Sequence, residues 1–513
     1  MHLVMLETNG NQRYVFSSPR LRESIGASYQ LTQLKEWTKD ALDVTDVAQA
    51  WTRAHPGTDE DSTQWVSRAS GKVIIRVDTE AQAKAVISHV TRRALAEAPG
   101  MDVSGVIVQM ADEHVTAADL KNVHAEAATY ALSRPPALAR FSQTPFLARA
   151  KDSVLPAAPP LGACDEAKED RTETLSLSAR VKRHLALTSK EILLDRARIE
   201  GGLPGEKLAR DVLKLERMLQ PLASEEDSPA LSRIAVIHID GNGVGAIMKD
   251  LDAAMRRVPH GILEEVLGCK PDDPDTLRRF LLEVNDRLDD AVSQALVTAW
   301  RKVAAWAEAD AEAAGRESAA IPVVPVILGG DDVTVITSGD YALPFAVAYL
   351  EDYERRTSED KLLRHLSTLD DAEPEGGPMT AAAGVAVIGR NYPFHIAYDL
   401  AERLVTMAKR AGKASAPTRS TLSYHVLFDS TVLDAEQVLR AYESFTTRPF
   451  LLFDETLRNA RDVLGNDLTE TIGDIRSLFD LLELADLLPD SYLGTLLPDV
   501  GAPTVLPPAE DLA

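Results

Sequence analysis

The stretch "VVPVILGGDDVTVIT", Val323 to Thr337, sets a β-branched run on each side of Gly329-Gly330-Asp331-Asp332. Val and Ile on both flanks predict two strands, and the glycine-rich tetrapeptide between them predicts the tip of a hairpin. No other segment limits the fold as much, because a hairpin of this length needs a sheet to join and a core to cover. Glycine at the tip permits positive φ and close approach of a ligand, and the neighbouring carboxylates then project from one sheet edge. Taken alone, the tetrapeptide suits a solvated turn equally well, since Asp and Gly are common turn residues. The rest of the chain decides between the two.

At 513 residues the chain has material for roughly three domains of about 150 residues each. Asp and Glu exceed Lys and Arg by 79 to 55, a formal charge of -24, which argues against a broad surface for gripping a nucleic-acid backbone. Cys164 and Cys269 are far apart and have neither CxxC nor nearby His spacing, so neither a disulfide framework nor a zinc ribbon is expected. The start "MHLVMLETNGNQRYVF" lacks a basic region followed by an apolar core, and no segment approaches 18 uninterrupted apolar residues. A cytoplasmic location without membrane contact is therefore expected.

Four regions follow from texture. Residues 1–150 alternate strand-like and helix-like runs ("HLVMLE", "KVIIRV", "EAQAKAVISHVTRRALAEA", "VSGVIVQM", "AADLKNVHAEAATYALS") and form a first α/β unit. Residues 151–233, with "LPAAPPLGACDEAKEDR" and "ASEEDSPALSR", read as a linker with some helix. Residues 234–428 form a second unit of order β-α-α-β-β-α-β-α-β, and 429–513 a helical region with a loose Pro-rich, acidic tail. The expected class is α+β: two ferredoxin-like units, a helical linker and a helical C-terminal region. An internal repeat supports the pair of units, because "SRASGKVIIRVDTEAQAKAVISHV" follows the plan of "GGDDVTVITSGDYALPFAVAYL" with Ser70-Gly71 near the tip in place of the acidic pair.

The first strand of the second unit, "AVIHID", ends at Asp240 and runs into "GNGVG". In a ferredoxin-like sheet this strand lies beside the hairpin, which brings Asp240 to the same edge as Asp331 and Asp332. Such carboxylates disfavour one another's ionisation unless a hard divalent cation neutralises them. Gly241, Gly243 and Gly245 open a helix whose N-H groups face phosphate. Lys409 reads either as a counter-charge for the phosphate tail or as a last-turn lysine favouring the helix dipole, and Lys413 shares the ambiguity. "GNGVGA" formally satisfies the dinucleotide fingerprint, but the carboxylate before it and some 75 mostly helical residues before the next strand speak against a compact βαβ unit. His238 and His395 read as hydrogen-bonded structural histidines and Asp340 as a helix cap.

With "DGNGVG", "LGGDD", "AAAGVAVIGRNYPFHIAYDLAERLVTMAKRAGK" and "STLSYHVL" in this order, the second unit resembles the catalytic palm of the large, polymerase-like subunit of type III CRISPR complexes, a family akin to diguanylate cyclases and class III nucleotide cyclases. The opening "ETNGNQRYVFSSPRLRESIGASY" resembles that family's degenerate first palm. The resemblance implies a nucleotidyltransferase joining ATP into cyclic oligonucleotide messengers in antiviral defence. It implies Asp240, Asp331 and Asp332 as ligands of Mg²⁺ or Mn²⁺, with two ions. It also implies Gly241, Asn242, Gly243, Gly329, Gly330 and Lys409 as nucleotide contacts. Implied partners are ATP or another triphosphate, CRISPR-type protein subunits or RNA, and a further copy of the chain. Asn242 stands where many relatives carry a second aspartate. No adjacent His-Asp pair occurs, so the nuclease domain often fused to the family is expected to be absent, as is the cysteine-rich zinc element between the palms. The alternative is a non-catalytic nucleotide-binding scaffold within such a ribonucleoprotein.

Overall fold

The structure, a computed structural model, describes residues 1–451 except 19, 56–63, 135–145, 152, 163–165, 206, 209–232, 314, 316–320, 331, 368–375, 390–391, 415–418 and 428–449. It is a mixed α+β molecule with two sheets. The first sheet joins β1 (His2–Asn9), β2 (Trp65–Ala69), β3 (Lys72–Val77) and β4 (Asp102–Gln109) in the order β2-β3-β1-β4, every pair antiparallel. Between β1 and β2 come α1 (Asn11–Val15), α2 (Leu21–Thr32), α3 (Leu34–Val44) and α4 (Val47–Ala54). Helix α5 (Glu80–Glu97) links β3 to β4, and α6 (Ala117–Ser133) follows. Alternation along β1 assigns its faces: Leu3 and Met5 join the core that contains α6, while Val4 and Leu6 join the core beneath α3 and α5.

Helices α7 (Lys168–Thr172) and α8 (Leu177–Ile199) occupy the segment read as linker. Read from sequence as a linker with some helix, the segment is more closely bound than that, since α8 packs on α2 and buries Arg180, Lys182 and Arg183. Partners from distant elements make that burial tolerable. Arg183 donates to Glu23 and to Asp170, each at 2.8 Å, and Arg180 pairs with Glu166. Among the described residues Lys182 has no carboxylate partner of this kind; its Nζ donates to the Tyr14 carbonyl at 2.7 Å and to Ser17 Oγ at 2.9 Å. Burial pulls its pKa down to about 8 from 10.5. The folded state thus binds the proton less well than the unfolded chain, and stability rises with pH between about 8 and 10.5. Urea unfolding at pH 7.5 and 9.5 is expected to show wild type gaining about 2 kcal/mol relative to Lys182→Met over that interval. A difference that does not change with pH would contradict the buried-cation reading.

The second sheet contains β5 (Arg233–Gly241), followed by α9 (Val244–Lys249), α10 (Leu251–Arg257), α11 (His260–Leu267) and the 38-residue α12 (Thr276–Ala313). The hairpin comes next, β6 (Val323–Gly329) and β7 (Asp332–Ser338), then α13 (Gly339–Glu359), β8 (Ala381–Gly389), α14 (Phe394–Ala414), β9 (Thr421–Val426) and β10 (Phe450–Leu451). Its order is β10-β9-β8-β5-β7-β6. The block β8-β5-β7-β6 repeats β4-β1-β3-β2 strand for strand, so the repeat read from sequence is present in the topology. Val236, Ile336 and Ala386 face α14, whereas Ala235, Ile237 and Ile239 face α12 and α13.

Three local expectations change. The single helix expected after Gly243 breaks at Asp250, whose carboxylate accepts from Ala253 N and caps α10. Ser338, not Asp340, is the N-cap residue of α13, with Asp340 in the first turn. Helix α14 runs to Ala414 through Gly412, a residue whose sequence signal is a helix stop; a Cβ there would lie 2.8 Å from the Arg419 carbonyl oxygen, so the glycine serves a close chain crossing. The region 429–513 lies outside the described residues apart from Phe450 and Leu451. Among the described residues no helix is long and apolar enough to cross a membrane.

Candidate active site

Antiparallel register places Asp240 on β5 directly opposite Asp332 on β7. Opposed residues on neighbouring strands share a face and hold their Cβ atoms about 5 Å apart. The same alternation puts His238 opposite Thr334 on that face, and His238 Nδ1 lies 3.0 Å from Thr334 Oγ1. His238 is thereby the hydrogen-bonded structural histidine expected from sequence. Burial pushes its pKa down to about 4, against the opposing pull of the Asp240 charge, so it is neutral at physiological pH. His395 differs from expectation: its buried Nδ1 has no hydrogen-bond partner among the described residues.

Helix α14 covers this face and brings three polar side chains to it. Lys409 pairs with the Asp240 carboxylate and donates to the Gly241 carbonyl at 3.0 Å. The Lys409 ammonium, read from sequence either as a phosphate counter-charge or as a helix-end lysine, thus lies against the Asp240 carboxylate. Tyr398 lies 5.1 Å from the His238 ring, and its pKa is raised by burial and then by the charges of Glu402, Asp332 and Asp240. Glu402 is also raised, first by burial, with the neighbouring Asp399 and Asp240 charges adding to it. Tyr398 and Glu402 were not singled out from sequence, although with Lys409 their spacing of four and seven residues follows one helix face.

The glycines divide. Gly243 caps α9 at φ 82° and Gly330 turns the hairpin at φ 63°, both in the left-handed region. Gly329 lies against the first unit's hairpin tip, where a Cβ would stand 3.1 Å from Ser70 Oγ. Gly245 is exposed on α9. Asn242 turns inward: it is 3% exposed and its Nδ2 donates at 3.0 Å to Thr380 Oγ1, just before β8, while its buried Oδ1 has no hydrogen-bond partner among the described residues. Asp331 lies outside the described residues.

The first unit holds a counterpart of the carboxylate pair. Gly10, at φ 63°, caps α1 as Gly243 caps α9, and three residues before it Glu7 stands opposite Lys72 at the start of β3. Lys72 Nζ lies 3.7 Å from Glu7 Oε2. Where the second unit opposes two carboxylates, the first opposes a carboxylate and an ammonium that neutralise each other. Between the units lies a cavity of about 1390 Å³ lined from one side by Gly329, Gly330, Asp332 and Tyr398, and from the other by Arg68, Ser70, Lys72 and Lys121.

Two opposed carboxylates, with the Gly241 carbonyl beside them, are the hard oxygen donors that Mg²⁺ or Mn²⁺ takes, and Mg²⁺ leaves its other positions to water and substrate phosphate. Among the described residues no group of three or more His, Cys, Asp or Glu side chains makes a closed metal centre. The dinucleotide alternative fails on topology, since both neighbours of β5 run antiparallel to it and no parallel βαβ unit surrounds "GNGVGA".

No family model and no curated protein matches the chain. Solved structures do. A Csm1-Csm4 cassette in complex with cA4 aligns at 12% identity and a TM-score of 0.44, covering 98% of this chain. Csm1 in T. onnurineus aligns at 11% and 0.43, covering 99% of it. A type III-B Cmr-beta complex in the apo state aligns at 10% and 0.40, covering 87% of this chain and 73% of its own. The chain spans 65% of the length of each Csm1 structure. These structures of Csm1, alone and in a cassette with Csm4, and of a type III-B Cmr-beta complex are what the chain is similar to.

Proposed function

We propose that the chain is a metal-dependent nucleotidyltransferase that makes cyclic nucleotide or oligonucleotide messengers from ATP in prokaryotic antiviral defence. In this reading residues 1–150 and 234–428 are two ferredoxin-like palms, the second of them catalytic, and the chain works beside the protein subunits or RNA of a CRISPR-type complex. The supporting observation is the in-register opposition of Asp240 and Asp332, set against the self-neutralised Glu7 and Lys72 at the equivalent place. Asp240 and Asp332, with Asp331 as the sequence implies, would hold two Mg²⁺ or Mn²⁺ ions, which when bound make a 3′ hydroxyl more nucleophilic and neutralise a triphosphate.

The chain's own residues bind and orient. Asp332 and the Gly329-Gly330 tip form one wall of the cavity, and Lys409 holds the Asp240 carboxylate in place. Single-ligand sites occupy about 300–1,000 Å³, so a cavity of about 1390 Å³ has room for a donor and an acceptor nucleotide together. Lys121 and Lys72, the latter offset by Glu7, put positive charge on the first unit's wall, which suits that wall to the acceptor. Phosphoryl-type transfer depends chiefly on in-line positioning and charge neutralisation, which the two walls would supply together.

Incubating the full chain with Mg²⁺ and each of ATP, GTP, CTP and UTP, with and without added nucleic acid, is expected to release pyrophosphate with ATP. Mass spectrometry of the product is expected to find a cyclic 3′–5′ species. Absence of pyrophosphate under every condition would remove the enzyme reading and leave the scaffold.

A further inference from the structure

The first unit reaches the second unit's carboxylate pair through α1. Phe16, just past the end of that helix, stacks on Tyr398 with ring centroids 3.8 Å apart and planes inclined by 26°. One helical turn earlier, Gln12 Nε2 donates to Glu402 Oε1 at 2.6 Å. Both contacts fall on the face of α14 that ends in Lys409, and Tyr398 also meets His238, two residues from Asp240 on the same face of β5. From behind, α8 fixes the helix, with Lys182 donating to the Tyr14 carbonyl and to Ser17 Oγ. Helix α1 is thus held by the linker helix α8 and leans on the lysine-bearing helix of the second unit. The reciprocal place in the repeat is apolar: Ile247 and Leu251 share one core with Leu120 and Val123 of α6. Of these two equivalent places, the one at α1 touches a helix that carries charge to a carboxylate site.

We infer that Phe16, assisted by Gln12, is a positioning residue: by stacking on Tyr398 it seats α14 so that Lys409 stays on Asp240, and it makes the second unit's site depend on how the first unit is docked. This inference rests on the proposed reading of the carboxylate pair for its activity readout, but not for its structural one. Separation of the units on filling or emptying the cavity would be felt at Asp240 through this stack, without any first-unit residue entering the chemistry.

The test compares Phe16→Ala, Phe16→Leu and Phe16→Trp in the full chain. Leu retains apolar bulk and removes the ring, and Trp retains a stacking ring. With Mg²⁺ and ATP, the Ala and Leu variants are expected to lose about 10- to 100-fold in kcat for pyrophosphate release with KM for ATP little changed, and Trp to restore most of it. Hydrogen exchange is expected to quicken in the amides of α14 in the Ala and Leu variants and not in the Trp variant. Wild-type kcat in the Leu variant, or α14 exchange that does not respond to loss of the ring, would overturn the inference. If wild type itself releases no pyrophosphate, the proposed function falls while the exchange arm still decides whether Phe16 seats α14.

Discussion

Asp332→Asn is expected to abolish pyrophosphate release, lowering kcat by about 10³-fold or more, while leaving the metal-free fold within about 1 kcal/mol of wild type. In the metal-free protein Asp332 faces the Asp240 carboxylate across the strands, and Lys409 offsets that repulsion by pairing with Asp240. In the proposed reading the Asp332 carboxylate would be one of the anionic ligands of a hard cation. Thermal melts of wild type with and without Mg²⁺ should therefore separate more than those of the variant. Asp240→Asn should match the loss of activity and also lower stability, since it deprives Lys409 of its partner. A variant at position 332 that melts lower and still turns over would show Asp332 to be a structural residue only.

Sequence alone reached Asp240 and the hairpin because both sit at the ends of strands whose period-two pattern is plain, and a ferredoxin-like order then brings those ends together. It did not reach the partners. Glu7 and Lys72 are visible as residues, but the fact that they oppose each other across β1 and β3, as Asp240 and Asp332 do across β5 and β7, is a matter of register between segments 65 residues apart. Periodicity tells which residues of one element share a face and says nothing about what lies against that face. Phe16 and Tyr398 escaped notice for that reason, although each is an unremarked aromatic in a helical neighbourhood. Asn242 was placed among the nucleotide contacts by its neighbours in the chain; the bond of its Nδ2 to Thr380, just before β8, depends on sheet pairing that its own stretch of sequence does not show. Nothing in the local sequence marks Arg180 and Arg183 as buried, because Glu23, Glu166 and Asp170 come together around them only in the fold.

Gly384→Ala on β8 is expected to be the most damaging single methyl in the second unit. A Cβ built there would stand 2.1 Å from the Ala401 carbonyl oxygen and 2.8 Å from the Val405 amide nitrogen, both backbone atoms of α14, and 3.0 Å from Leu404 Cβ. None of these is the far end of a flexible side chain, so relief requires the helix to lift from the sheet. Overpacking of this kind costs about 2–4 kcal/mol, read as a fall in urea midpoint or melting temperature. The displacement also carries Tyr398 and Lys409 with it, since both are on the same helix, so the protein that remains folded should be slower in pyrophosphate release than its folded fraction accounts for. Gly389→Ala supplies the contrast within the same strand: its Cβ would meet nothing within 4 Å, and loss of glycine's freedom in the unfolded chain should leave stability equal to wild type or up to about 1 kcal/mol higher. Equal tolerance of both alanines would mean that α14 does not sit on β8 as closely as described, and with it would go the means by which Lys409 is held over Asp240.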